Sequence, residues 1–129
     1  MIEEAYVSFE VAKLLKEKGF DEYCRYFYDC ETPNTGYLSN KRYGEDIHNS
    51  KVYDGRNLAA CPTHQMAMGW LRETYGIDIV IEISDPSVKD RKYYCMIWDG
   101  NNNSYILDLF NTYEDAVEAA LKYCLGHLI

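Results

Sequence analysis

One stretch limits the possible folds more than any other. Residues 77–84 read "IDIVIEIS", with Ile77, Ile79, Ile81 and Ile83 on alternate positions and Asp78 and Glu82 between them. That two-residue period is a β-strand with one apolar face and one solvated face. A polar turn, "DPSVKDRK", follows, then "YYCMIW", "DGNNN" and "SYILDLF". Asp-Gly followed by asparagines is hairpin-loop chemistry. The three apolar runs therefore predict an antiparallel three-stranded meander.

A sheet with one apolar face needs a cover, and the flanking segments supply helices. Residues 62–76, "PTHQMAMGWLRETYG", open on proline, whose missing N–H costs nothing at a helix start. Ala67, Trp70, Leu71 and Thr74 share a face, and Gly76 is a natural stop. The last helix is expected from about Tyr113 to Leu128. Thr112 caps it, and Tyr113, Val117, Ala120, Leu121, Cys124 and Leu128 form its apolar stripe. Residues 7–20, "VSFEVAKLLKEKGF", predict a third helix. Ser8 is its cap, Gly19 its left-handed end, and Phe20 folds back on Leu15.

Between the first two helices the pattern is weaker. Residues 23–28 are aromatic-rich and suit a short strand. "ETPNTG" is a turn. Residues 39–57 are polar and aperiodic, and read as a long irregular connection with one short strand near Val52. Such a connection is uncommon in a compact domain and is often functional. The order helix, aromatic region, helix, three strands, helix predicts an α+β fold, a three-stranded antiparallel sheet with helices packed on one face. At 129 residues this is expected to be a single domain, with residues 1–61 and 62–129 as its two parts.

Charge narrows the function. The net charge is -8, and residues 62–129 are the more acidic part, at -5 against -3. Spread acidity opposes direct nucleic-acid binding, which needs clustered Lys and Arg. The acidic start "MIEEAYVSFE" is unlike a signal peptide, and no apolar run is long enough to span a bilayer. A cytoplasmic protein without membrane contact is expected. Five cysteines, irregularly spaced, predict free thiols rather than a disulfide framework.

Candidate sites fall into two kinds. Cys61 and His64 stand three apart, as zinc ligands do, and Cys24 and Cys30 could complete a tetrahedral set. The same Cys61 and His64 could form a thiol–imidazole dyad at a helix start. The spacing of "CRYFYDC" is too long for a paired knuckle, and a helix beginning at Pro62 accounts for both residues. No metal, cofactor or catalytic residue is therefore assigned. The second kind is aromatic: six of the 13 tyrosines lie between Tyr23 and Tyr53. Tyr37, Tyr43 and Tyr53 sit among polar turn residues and are the candidate binding residues, because tyrosine gives contact area at little entropic cost.

The segments "SFEVAKLLKEKGFDEYC", "PTHQMAMGWLRETYGIDI" and "NTYEDAVEAALKYCL", in this order, resemble a loose group of small uncharacterised proteins encoded by Bacteroidetes bacteria and their phages. The resemblance implies an accessory gene on a mobile element and transfers no activity to any residue. The helix–three strands–helix order of residues 62–129 is also similar to that of double-stranded RNA-binding domains. Those domains clamp phosphates with a basic start to the last helix. Here "TYEDAVEA" places Glu114, Asp115 and Glu118 there, which would repel phosphate.

The expectation that follows is a small acidic protein-interaction module without catalytic activity. Its surface would be the Tyr37–Tyr53 segment together with the open sheet face, its partner another protein or, as a homodimer, a second copy. A metal or thiol enzyme centred on Cys61 and His64, and an acidic mimic of DNA, are the alternatives.

Overall fold

The computed structural model describes residues 4–129 apart from Val88. Its architecture is α+β: three α-helices and two three-stranded antiparallel sheets. The chain divides into two units, the first ending at Gln65 and the second running from Met66 to Ile129.

In the first unit, helix α1 (Phe9–Glu17) has the ends its sequence dictates. The Ser8 hydroxyl accepts from the Val11 amide at 3.2 Å. Gly19, at φ 94°, takes the left-handed position. The Phe20 amide then bonds back to the Leu15 carbonyl at 2.9 Å, and both side chains are fully buried. Together these close the helix end in a Schellman motif. Strand β1 (Tyr26–Asp29) lies between β2 (Leu38–Ser39) and β3 (Leu58–Cys61). Phe27 pairs with Leu38 on one side and Ala60 on the other. Helix α1 packs on β3, whose Ala59 and Ala60 have no exposure.

This first sheet is more than the aromatic strand expected at residues 23–28. The polar stretch 39–57 is a long connection, as expected, but its tertiary hydrogen bonds are many. Cys24 and Ile47 exchange both backbone hydrogen bonds, at 2.7 and 2.8 Å. Asn49 donates to the Phe20 carbonyl and accepts from the Ala60 amide, at 2.7 and 2.9 Å. Val52, the expected strand site, is exposed and lies outside any strand.

In the second unit, β4 (Asp78–Ile83), β5 (Tyr93–Trp98) and β6 (Ser104–Phe110) form the meander in sequence order. Val80 faces Met96, which faces Ile106; Asp78, Trp98 and Ser104 make the next row. Helix α3 (Tyr113–Tyr123) starts at Thr112, whose hydroxyl accepts from the Asp115 amide at 3.0 Å. It lies across all three strands. Val117, Ala120, Leu121 and Cys124 are fully buried, as are Cys95 and Ile97 of β5. Burying a side chain such as Leu121 contributes about 1.5–3 kcal/mol. The helix continues as a π turn over Cys124–Leu128. Helix α2 (His64–Tyr75) bridges the two units in sequence and starts two residues after Pro62. Among the described residues, no helix is long and apolar enough to cross a membrane.

Candidate functional site

Alternation decides what β4–β6 show on the face away from α3. Ile79, Ile81, Cys95 and Ile97 point toward the helix. Asp78, Val80 and Glu82, Tyr94, Met96 and Trp98, and Ser104, Ile106 and Asp108 must then point the other way. On this second face Val80, Trp98 and Ile106 are 39%, 44% and 59% exposed. Apolar side chains run across the middle, Val80–Met96–Ile106, with Trp98 and Tyr94 on either side of Met96. The carboxylates stand at the margins: Asp78 and Glu82 on edge strand β4, Asp108 on edge strand β6. Asp78 and Glu82, on the solvated side of the strand as their alternation with the isoleucines requires, thus belong to a sheet margin with an apolar interior.

The three candidate tyrosines separate. Tyr53 is 5% exposed and shares a core with Phe27, Ile47 and Leu58. Tyr43 is half-buried against that core, its ring 5.1 Å from the Tyr53 ring. Tyr37 is 45% exposed. Its ring closes a trio with Tyr6 and Tyr26, with centroids 4.9 to 5.2 Å apart. Rings packed so closely leave no space for a cation between them, so the trio offers an aromatic surface rather than a cage.

Cys61 and His64 have architectural surroundings. The Cys61 thiol, buried in β3, donates to the Val7 carbonyl at 3.5 Å. The His64 amide donates to the Ala5 carbonyl at 2.9 Å, beside the Tyr6–Thr63 bridge. Both sit where the N-terminal segment is stitched to the start of α2. Burial pushes the Cys24 thiol up to about 12, with Asp46 and Glu22 adding to it, and raises Cys30 as well. Among the described residues, no group of three or more His, Cys, Asp or Glu side chains is placed to hold a metal ion.

One polar cluster was not foreseen from the sequence. The Asp21 carboxylate accepts from the Ser50 amide at 2.7 Å and meets His48 Nδ1 at 3.1 Å. The Ser50 hydroxyl also meets His48 Nδ1 at 3.1 Å. The Ser50 contact lowers the Asp21 pKa. Asp, His and Ser suggest a nucleophile relay, but a relay needs opposite nitrogens: one takes the hydroxyl proton while the other is held by the carboxylate. Here both partners crowd a single nitrogen, so the hydroxyl is not aligned for activation. The cluster fastens residues 48–50 to the end of α1, beside a hollow of about 250 Å³ lined by Lys16, Phe20 and Asn49. Its residues stand 27 and 29 positions apart, too far for a spacing motif to reveal them.

No protein-family model, curated protein or solved structure matches the chain.

Proposed function

We propose that the protein is a non-catalytic protein-interaction module whose contact surface is the open face of the β4–β5–β6 sheet. The observation that carries this reading is the exposure of Val80, Trp98 and Ile106 together on the face opposite α3. Three large apolar side chains held in water on one rigid surface are a cost that association removes. Trp and Tyr are the residue types that concentrate binding energy at interfaces, and Trp98 and Tyr94 flank Met96 here. Tyr37, on the aromatic trio of the first unit, is a separate contact point of the same character. Five cysteines outside any disulfide, Cys24, Cys30, Cys61, Cys95 and Cys124, suit the reducing conditions of a cytoplasm.

A photo-crosslinking amino acid at position 106, expressed in the cells that carry the gene, tests the reading. It should capture a discrete protein, and the Trp98→Ala substitution should reduce the yield without changing thermal unfolding. No captured protein, or equal yield with Trp98→Ala, would remove the open face as the contact surface.

A further inference from the structure

We infer that the open face receives one amphipathic α-helix from the partner, with an apolar stripe flanked on both sides by Lys or Arg. This rests on the open face being an interaction surface and adds what that surface recognises.

Dimensions come first. Three strands at about 4.8 Å spacing and six residues at about 3.3 Å rise give a platform of roughly 14 by 20 Å. A single helix about 10 Å across and some 13 residues long covers that area. The sheet already binds a helix of that size on its other face, where α3 spans 11 residues.

Charge then separates the occupants. Asp78 and Glu82 flank Val80 on one edge strand and Asp108 follows Ile106 on the other, with Tyr94, Met96 and Trp98 on the strand between them. Self-association would set these carboxylates against their own copies, in a chain of net charge -8. A helix with bases on both sides of its apolar stripe meets acid at each margin and Trp98, Met96 and Tyr94 in the middle. The nearby bases Lys89, Arg91 and Lys92 lie beyond the apolar rows, at the turn into β5, and Lys92 is engaged by Asn111.

The test uses fluorescein-labelled synthetic peptides of about 14 residues, long enough for the platform, read by anisotropy against the full chain. One carries leucines at helical spacing flanked by lysines. A second replaces the lysines with glutamates, and a third has the first peptide's composition permuted to a two-residue period. The lysine-flanked helix should bind at least tenfold tighter than either control. Ile106→Glu should weaken it at least tenfold, and so should Asp78→Lys with Glu82→Lys, each variant keeping the wild-type thermal transition. Equal binding of the glutamate peptide would overturn the charge argument, and stronger binding of the permuted peptide would make the occupant a strand. Absence of binding by the lysine peptide, an unchanged affinity for Ile106→Glu, or a wild-type dimer in sedimentation that Ile106→Glu dissociates would also overturn the inference. A partner crosslinked at position 106 alongside a silent lysine peptide would refute the helix and leave the interaction surface standing; failure of both would remove both.

Discussion

Arg56 grips one oxygen of Asp29 with two nitrogens: Nε donates to Oδ2 at 2.8 Å, and a terminal nitrogen reaches the same oxygen at 2.6 Å. The other oxygen accepts from the Glu31 amide at 3.0 Å. That amide, and then Arg56, hold the Asp29 carboxyl below its usual range. A carboxyl depressed on folding stabilises the protein fully above its unfolded value, and the contribution fades as pH falls through the folded one. Asp29→Asn is therefore expected to be less stable than wild type at neutral pH. The gap should narrow below about pH 4, where the unfolded carboxyl takes up its proton. Urea unfolding at several pH values checks this, and a gap independent of pH would show that the charge on Asp29 contributes nothing.

The tyrosines make a second, graded prediction. Tyr53→Ala removes a ring from the Phe27–Ile47–Leu58 core and should cost about 3 kcal/mol, the usual scale for deleting a buried aromatic. Its hydroxyl also accepts from the His48 amide at 3.3 Å, so Tyr53→Phe should cost about 1 kcal/mol. Tyr37→Ala, at an exposed ring, should cost about 1 kcal/mol or less. Denaturant midpoints of the three variants give the order directly. An order led by Tyr37 would mean that the trio with Tyr6 and Tyr26, rather than the Tyr53 cluster, holds the first unit.

The thiols should differ in reactivity by position. Cys24, Cys61, Cys95 and Cys124 are buried, and burial pushes Cys24 and Cys124 up to about 12. The thiolate is the reactive form. With a soluble disulfide reagent at neutral pH, Cys30 alone is expected to react in the folded protein, slowly because burial raises it too. All five should react in denaturant. Peptide mapping of the modified chain reads this out, and rapid native labelling of Cys61 would revive the thiol dyad with His64.

What the sequence disclosed follows from how far each signal reaches. Ile79, Ile81 and Ile83 announce a strand because a two-residue period needs only one short segment to be recognised. Ser8, Gly19 and Thr112 announce helix ends because a cap acts within three or four residues, and the bonds to Val11, Leu15 and Asp115 are of that kind. The first sheet was less visible. Leu38–Ser39 has two residues, and "LAAC" at 58–61 is buried throughout, so neither shows alternation. The order of Asp21, His48 and Ser50 in space depends on a chain reversal that no local pattern encodes. Tyr37 and Tyr53 occupy similar polar stretches, yet one is exposed and one buried. Only the return of residues 47–58 onto Phe27 decides which.

The β5–β6 hairpin supplies the last prediction. Asp99 organises the loop: Oδ1 accepts from the Asn101 amide at 2.8 Å, and Oδ2 from the Asn103 side chain at 3.1 Å. Gly100 follows at φ 86°, a conformation that opposes any Cβ, and a Cβ built there would stand 3.0 Å from the Gly76 carbonyl oxygen. Gly100→Ala therefore carries both backbone strain and a backbone clash, and should destabilise by about 1–3 kcal/mol. Gly126, in the π turn, has open space around its would-be Cβ and does not occupy the positive-φ region. Alanine there restricts only the unfolded chain and should be neutral or stabilising by up to about 1 kcal/mol. The paired comparison by urea unfolding separates the loss of a glycine from the loss of this particular turn. If Gly100→Ala proved as harmless as Gly126→Ala, the hairpin would have to close in another geometry. The register that places Ile106 beside Met96, and with it the apolar row of the open face, would then fall too.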